Sequence, residues 1–386
     1  MILSLSVYLF LAIALYVLAR SSYETSLQKN SVMLKRLSPF WDWQIIASIL
    51  LFAVVCGVRY NVGVDNLSYI KNYVYYQEHG YLLRKDVEPL FAWVQMAMAD
   101  FGFHYSVFNG LWAAVQITFI YYALRNDKKY LPYVALMIVL SPIYLKWMNG
   151  VRQCVVECVF FFLIEYIEKK QMWKYMLGVL ICTTIHTTAI LLLPMYFLFQ
   201  KPKYFSQWWL RILIFLGCTY LGSLTSWFES MTDLTSIIEF VGYDKYANRM
   251  DVITSHLNET KVWGPEKTGL FILDIFIIII APQFIKRYNL GKRFEIYFCS
   301  YFWGACGFRL FLDLSHLFYR VTCYFYDFYI IIIPITLYYL YKERKLFLFY
   351  TIIILAYFST IYRALRGISI SGENSYDVYK FFFSIT

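Results

Sequence analysis

Four polar side chains share one face of a predicted helix near residue 150. Their spacing is i, i+3, i+4 and i+8: Asn149, Arg152, Gln153 and Glu157. Residues at these spacings lie along one side of an α-helix, and Gly150 could start that helix and leave Asn149 as its cap. Because the neighbouring residues are apolar, the stripe needs polar partners. It could bind an anion and hydroxyl groups, or it could form a hydrogen-bonded contact between helices.

Three further elements could transfer protons or hold a metal. Asp65 follows the second apolar run, and His186 lies between two pairs of threonines. Carboxylates and imidazoles are common general bases. Asp86-Val87-Glu88 is the only acidic-x-acidic element, and two carboxylates can contribute to a divalent-metal site. Pro89 after it is more typical of a helix start, so no metal site is predicted.

Membrane helices must position these groups. Of the 386 residues 60% are hydrophobic and only 16% are charged, whereas soluble domains carry about 25% charged residues. Apolar runs near the ~20 residues that span a bilayer core recur along the chain. We therefore expect an all-α polytopic membrane protein with a single transmembrane domain, 1–386. The net charge of +10 lies mostly in short loops, which argues against a nucleic-acid partner.

The apolar runs predict about ten spans. The first lacks a basic n-region and a small-residue cleavage site, so it is expected to be a retained anchor. Exterior segments 59–103 and 229–267 mix charge with aromatic residues, which predicts interfacial helices. The predicted spans are 2–19, 44–58, 104–124, 131–146, 151–167, 209–228, 268–285, 294–312, 321–341 and 346–362.

The stretch 173–199 is too long for one straight span, since as a single helix it would measure about 40 Å. If it instead enters and returns as a re-entrant hairpin, every basic loop cluster falls on the cytoplasmic side, as the positive-inside rule requires. We therefore predict a broken hairpin with His186 near its tip and both termini outside. The alternative is one tilted span with a further crossing within 229–267.

Arginine rather than lysine marks the predicted outer boundary. The guanidinium fork suits phosphate and carboxylate groups. A transporter needs polar groups near the midplane, so a one-sided polar face favours an enzyme acting on a lipid with an anionic headgroup. The outer arginines are Arg59, Arg152, Arg309, Arg320, Arg363 and Arg366.

Five short motifs follow one another over about residues 55–335. They are Arg59…Gly63-Val64-Asp65…Tyr69, Glu88-Pro89-Leu90-Phe91, Asn149-Gly150-Val151-Arg152-Gln153, His186-Thr187-Thr188-Ala189 with Leu193-Pro194, and Arg320…Tyr324-Phe325…Pro334. Their order resembles that of the EpsG-like family of exopolysaccharide and O-antigen (Wzy-type) polymerases. The family's usual Gly-Thr-Asp is Gly-Val-Asp here, and its hydrophobic residue before Arg-Gln is Val151. Neither departure removes a charged group.

The resemblance implies a glycosyltransferase with a fold similar to the GT-C class, in the bacterial cytoplasmic membrane with its active site facing outward. Such polymerases move a growing glycan from one polyprenyl (undecaprenyl) diphosphate carrier to a sugar hydroxyl of the next lipid-linked repeat unit. Donor and acceptor are then both polyprenyl diphosphate-linked oligosaccharides. No cofactor is expected, and a chain-length regulator is left open as a partner.

Glycosyl transfer needs neutralisation of the departing diphosphate and removal of a proton from the attacking hydroxyl. We expect Asp65, or failing that His186, to be the base. The expected diphosphate-binding residues are Arg152 and Arg320, with Arg59 or Arg309 assisting. The expected sugar-binding residues are Glu88, Asn149, Gln153 and Glu157.

Two alternatives remain open. An O-antigen ligase or a single-sugar lipid-linked glycosyltransferase would use the same outer site with a different acceptor. A flippase of lipid-linked sugars would move the same substrate without changing it.

Overall fold

The computed structural model describes residues 2–31, 40–63, 65–84, 86–224, 264–311, 316–366 and 379–384. Within these ranges the chain is helical, and the β-type contact present is an isolated bridge between Arg59 and Phe381. The helices are α1 (Ile2–Ser31), α2 (Trp43–Gly57), α3 (Asn66–His79), α4 (Pro89–Asp100), α5 (Tyr105–Ala123), α6 (Leu131–Leu140), α7 (Ile143–Asn149), α8 (Val151–Glu168), α9 (Met172–Thr183), α10 (Met195–Leu198), α11 (Trp208–Ser223), α12 (Pro265–Arg287), α13 (Lys292–Phe311), α14 (His316–Tyr326), α15 (Tyr329–Lys342) and α16 (Leu346–Arg366). Short 3-10 turns cover Lys128–Tyr130, Thr187–Leu192 and Phe382–Ser384.

The chain divides into two compact units. The first comprises Met1–Phe162, Thr184–His186 and Ala356–Thr386, and the second comprises Leu163–Thr183 and Thr187–Leu355. The three-residue segment Thr184–His186 therefore belongs to the first unit, although both of its neighbouring segments belong to the second.

Helices α2 and α5 of the first unit approach each other closely because glycines face each other at their contact. A Cβ atom on Gly57 would lie 2.5 Å from the Ser106 carbonyl oxygen, and one on Gly110 would lie 3.0 Å from the Ala53 carbonyl oxygen. Larger residues at these two positions would force the helices apart. The close packing holds the C-terminal end of α2, where the loop that carries Asp65 begins.

A proline breaks one predicted span. The segment predicted as a single span over 131–146 forms two helices, α6 and α7, which are bent by 64°. Ser141-Pro142 lies at the bend, and proline cannot donate the backbone hydrogen bond that would continue a helix. Gly150 then separates α7 from α8, so Asn149 ends one helix and Arg152 lies in the first turn of the next. Arg152, Gln153 and Glu157 therefore lie on α8, whereas Asn149, predicted as the cap of that helix, is the last residue of α7.

Three helical segments among the described residues are long and apolar enough to cross a bilayer: Leu5–Leu27, Pro265–Arg287 and Tyr319–Lys342. The bent pair α6–α7 would add a fourth. The predicted count of about ten spans is thus not confirmed. Several other predicted spans are apolar helices of 10–17 residues, shorter than the ~20 residues that a perpendicular crossing needs.

The stretch 173–199 consists of short segments on either side of a break at Thr184–His186. Beyond the break the chain runs back along α9, since the Tyr175 hydroxyl donates to the Leu192 carbonyl oxygen at 2.6 Å. The rings of Tyr175 and Tyr196 lie 5.6 Å apart. His186 lies at the break, and re-entry into a membrane stays a prediction. Segment 59–103 contains α3 and α4, whereas nearly all of 229–267 lies outside the described residues.

Candidate active site

Glu88 holds two cationic or ionisable side chains of the first unit together. Its Oε1 lies 2.9 Å from His186 Nδ1, and its Oε2 accepts from Arg152 Nη1. The carboxylate is largely buried, with 12% of the side chain exposed. Three motifs that are far apart in sequence therefore meet at one carboxylate.

Backbone contacts place these three residues. Glu88 lies just before Pro89, the first residue of α4, and its backbone is extended, with φ −62° and ψ 147°. The next backbone amide, that of Leu90, donates to the Thr184 carbonyl oxygen at 2.9 Å. This bond fixes the Thr184–His186 segment against the start of α4 and brings the imidazole to Glu88.

The hydrogen bonds assign the proton positions on His186. Burial would raise the pKa of Glu88, but the hydrogen bond from His186 and the charge of Arg152 outweigh it, and the pKa lies below its ordinary value of 4.5. An ionised carboxylate can only accept hydrogen bonds, so Nδ1 carries a proton. In the neutral imidazole, Nε2 then presents a lone pair. That nitrogen is buried and has no hydrogen-bond partner among the described residues.

Protonation of Glu88 is predicted to destabilise the protein in acid. Because the folded-state pKa lies below 4.5, the carboxylate stabilises the fold fully above pH 4.5, and this contribution is lost as the pH falls through the lower folded-state value. In detergent, the difference in melting temperature between wild type and Glu88→Gln should be largest near about pH 6 and shrink towards about pH 3. A difference that stays constant over that range would contradict this linkage.

Tyr69 extends the cluster towards α3. Its hydroxyl lies within hydrogen-bonding reach of the Arg152 guanidinium, and burial raises the pKa of the phenol. The Arg152 guanidinium also lies 5.9 Å from the centre of the Phe91 ring. Arg152 is 17% exposed, so a ligand can reach a cation whose other contacts keep it in one orientation.

Asp65 is held in place through its backbone. Its amide donates to Asn149 Oδ1 at 2.7 Å, and the preceding loop passes close to Asn149 at Gly63, whose φ of +100° favours glycine. The half-buried Asp65 side chain makes no capping hydrogen bond to α3. Asn149 therefore acts here as a support for the Asp65 loop.

Arg59 lies at the start of the loop that carries Asp65 and holds it against α7. Only 2% of the residue is exposed, and its guanidinium donates to the carbonyl oxygens of Cys56 at 2.6 Å and Met148 at 2.8 Å. These bonds tie the end of α2 to α7. Both terminal nitrogens of the guanidinium donate to backbone carbonyl oxygens, which is the arrangement of a structural residue. Participation of Arg59 in diphosphate binding stays a prediction.

Comparison with known proteins decides the family. The EpsG family model matches residues 42–381, which includes every motif described above. The chain belongs to the EpsG family. Together with its long apolar helices, this membership makes it a multi-pass membrane protein. Comparisons with curated proteins and with solved structures give no match.

Two residues of the predicted polar stripe, Gln153 and Glu157, are buried. Gln153 Nε2 donates to Glu157 Oε1 at 2.9 Å, and Lys146 Nζ lies 2.9 Å from Glu157 Oε2. Glu157 is fully buried. A contact between helices, the alternative left open by the sequence, describes Glu157 better than sugar binding does.

The other two arginines predicted to bind diphosphate, Arg309 and Arg320, belong to the second unit. Arg309 on α13 pairs with Asp274 on α12 at 2.8 Å, and the hydroxyls of Tyr301 and Tyr326 also donate to Asp274. Both members of the ion pair are buried. Arg320 lies on α14 and is partly exposed. Arg309 thus has a structural partner that the sequence analysis did not name.

The Asp274–Arg309 pair is predicted to be needed for folding rather than for chemistry. Arg309→Met should cost about 3–5 kcal/mol of stability, because it leaves a buried carboxylate unpaired. Adding Asp274→Asn removes that charge but keeps an acceptor for the tyrosines, so thermal unfolding should show partial recovery. Activity per folded molecule should then match wild type. A double variant that folds but is inactive would show that Arg309 acts in the reaction.

Sequence reasoning missed several contacts that the structure shows. Asp274 could have been noticed as a lone carboxylate inside an apolar run. Asp86 was considered together with Glu88, and the structure shows Arg84 paired with it through Nε at 3.1 Å and Nη2 at 2.9 Å. Among the described residues no group of three or more His, Cys, Asp or Glu is arranged to hold a metal ion.

Proposed function

We propose that this EpsG-family protein is a polysaccharide polymerase of the Wzy type. It would join polyprenyl diphosphate-linked oligosaccharide repeat units at the outer leaflet of the bacterial cytoplasmic membrane. The observation that carries the proposal is the Glu88 carboxylate, which holds a candidate base, His186, beside a candidate diphosphate ligand, Arg152. Family membership supports the polysaccharide substrate.

In the proposed reaction a sugar hydroxyl of one lipid-linked unit attacks the anomeric carbon of the glycan on the other. A carbon–oxygen bond forms, and the bond between the anomeric carbon and the diphosphate oxygen breaks. The electron pair of that bond leaves with the polyprenyl diphosphate. The hydroxyl proton passes to His186 Nε2, while Glu88 keeps the imidazole oriented and stabilises the imidazolium that forms.

Arg152 would neutralise the charge that develops on the departing diphosphate. Charge-assisted hydrogen bonds from a guanidinium to phosphate oxygens are short and strong, and pre-positioned donors lower the barrier without reorganising. Its bond to Glu88 and its contact with Tyr69 provide that positioning. Arg320 stays a predicted second cation for the diphosphate.

Asp65 is proposed to bind the acceptor sugar rather than to take its proton. A carboxylate without a capping bond can accept a hydrogen bond from a sugar hydroxyl, and Asn149 fixes its backbone. His186 is preferred as the base because a carboxylate orients it and its lone pair is unused.

Polymer length in cells tests the proposed activity. Deleting the gene should remove long chains while single repeat units still reach the outer surface, and the wild-type gene should restore the chains. Repeat units accumulating on the cytoplasmic leaflet would instead indicate a flippase. Long lipid-linked chains that persist without transfer to a final acceptor would indicate a ligase.

A further inference from the structure

A small pocket opens beside Arg152 between α3 and α4. Its volume is small, about 230 Å³ even with the open solvent at its mouth included, so it can admit no more than a small group. No role assigned above uses it. The pocket is lined by Ser68, Tyr69, Asn72, Arg84, Val87, Phe91, Gln95 and Arg152.

A relay of hydrogen bonds fixes which group Gln95 presents. The backbone amide of Arg84 can only donate, and it donates to Asn72 Oδ1 at 2.9 Å. Asn72 must therefore use Nδ2 towards Gln95, and it does so to Oε1 at 3.1 Å. The Gln95 amide is thus held with Nε2 as its remaining polar group, and reversing either amide would set like groups against each other.

Gln95 Nε2 is a buried hydrogen-bond donor without an acceptor among the described residues. Only 1% of Gln95 is exposed, and Nε2 has no hydrogen-bond partner among the described residues. A buried polar group without a partner costs free energy, and in native structures such a group calls for an explanation. A ligand oxygen accepting from Nε2 provides one.

The pocket carries no excess of positive charge. Arg84 is paired with Asp86, and Arg152 is paired with Glu88 and is proposed to bind the diphosphate. A second anion in the pocket would therefore have no cation of its own and would lie close to existing negative charge. A neutral acceptor such as an amide carbonyl suits this balance better.

The pocket also has an apolar wall. Val87 and Phe91 contribute it, and the Phe91 ring is fixed by stacking on Trp112 with ring centres 5.0 Å apart. Burial of a methyl group against such a wall is favourable because it removes apolar surface from water. A carbonyl oxygen next to a methyl group is the chemistry of an acetamido substituent.

We propose that this pocket binds the acetamido group of an N-acetylated sugar in the lipid-linked repeat unit. The carbonyl oxygen accepts from Gln95 Nε2, and the methyl group packs against Val87 and Phe91. The inference rests on the proposed function for the identity of the substrate, but the pocket's preference can be measured without any turnover.

Saturation-transfer NMR on the purified protein in lipid nanodiscs tests the pocket. N-acetylglucosamine should receive saturation at its acetamido methyl, and it should outcompete glucose and glucuronate. Gln95→Leu should weaken this binding on the order of tenfold, as expected for loss of one hydrogen bond in a buried site. Gln116→Leu replaces a buried glutamine that does not line the pocket, so it should bind like wild type.

A second variant keeps the test decisive if Gln95→Leu fails to fold. Val87→Phe fills the pocket from the loop and should abolish the methyl signal without removing a polar group. Equal binding by wild type and Val87→Phe, or tighter binding of glucuronate than of N-acetylglucosamine, would overturn the proposal. If wild type synthesises polymer but the acetamido methyl receives no saturation, the pocket proposal is wrong and the polymerase proposal stands. If wild type binds the acetamido methyl but synthesises no polymer, the polymerase proposal is wrong and the pocket proposal stands.

Discussion

Replacing Arg152 with alanine is expected to reduce polymer synthesis about 10²–10³-fold per folded molecule, the usual effect of removing one pre-positioned donor to a developing charge. The guanidinium lies at the exposed side of the Glu88 cluster. The rate of Arg152→Lys should lie between those of wild type and Arg152→Ala, because an ammonium keeps the charge but loses the planar fork. Initial rates with purified protein and a defined lipid-linked repeat unit measure the effect.

A matched control separates chemistry from folding. Arg211 is also buried, but it donates to backbone carbonyl oxygens, among them that of Ile278 at 3.1 Å. Arg211→Ala should lower the yield of folded protein and leave the rate per folded molecule unchanged. If Arg152→Ala behaved in the same way as Arg211→Ala, Arg152 would be a structural residue and its role in binding diphosphate would be wrong.

The second large effect is expected from His186→Asn, which should slow glycosyl transfer about 10²–10⁴-fold, the range for loss of a general base. An asparagine amide can still donate to Glu88, but it offers no basic lone pair. The Michaelis constant for the repeat unit should change little, because binding and chemistry use different groups. Single-turnover rates at saturating substrate isolate the chemical step.

Asp65→Asn and Glu88→Gln complete this comparison. Asp65→Asn should raise the Michaelis constant more than it lowers the turnover rate, because Asp65 is proposed to bind the acceptor. Glu88→Gln should lower the turnover rate, since a neutral amide can no longer stabilise an imidazolium at 2.9 Å. If Asp65→Asn instead abolished turnover and His186→Asn retained it, Asp65 would be the base.

Local sequence patterns predicted the candidate groups better than their partners. His186 was placed at a break because its neighbours are polar within an apolar stretch, and the structure has a break at that position. Arg152 was selected as a guanidinium at a helix end. Both features depend on residues within a few positions of the site, which is the range over which periodicity and composition carry information.

Contacts between distant segments could not be predicted in this way. Glu88 is 64 residues from Arg152 and 98 residues from His186, so no spacing rule connects them. The sequence analysis therefore assigned Glu88 to sugar binding, whereas the structure makes it the residue that joins the other two. Resemblance to a family grouped the motifs but did not say which side chains touch.

Helix breaks account for the other differences. The stripe from Asn149 to Glu157 was predicted on a helix that starts near Gly150 with Asn149 as its cap. In the structure Asn149 is instead the last residue of α7, and α8 begins at Val151. Pro142 likewise divides a predicted span into two helices. Periodicity assumes a continuous helix, so a glycine or proline inside a run changes the face on which each residue lies.

The proposal that this protein itself joins lipid-linked repeat units can be tested by incubating the purified protein in nanodiscs with one defined polyprenyl diphosphate-linked repeat unit, with and without a chelator. We expect a ladder of products differing by one repeat unit, with free polyprenyl diphosphate released at each step, and the same ladder in the presence of the chelator. Unchanged substrate after incubation with folded wild-type protein would show that the protein is not the polymerase.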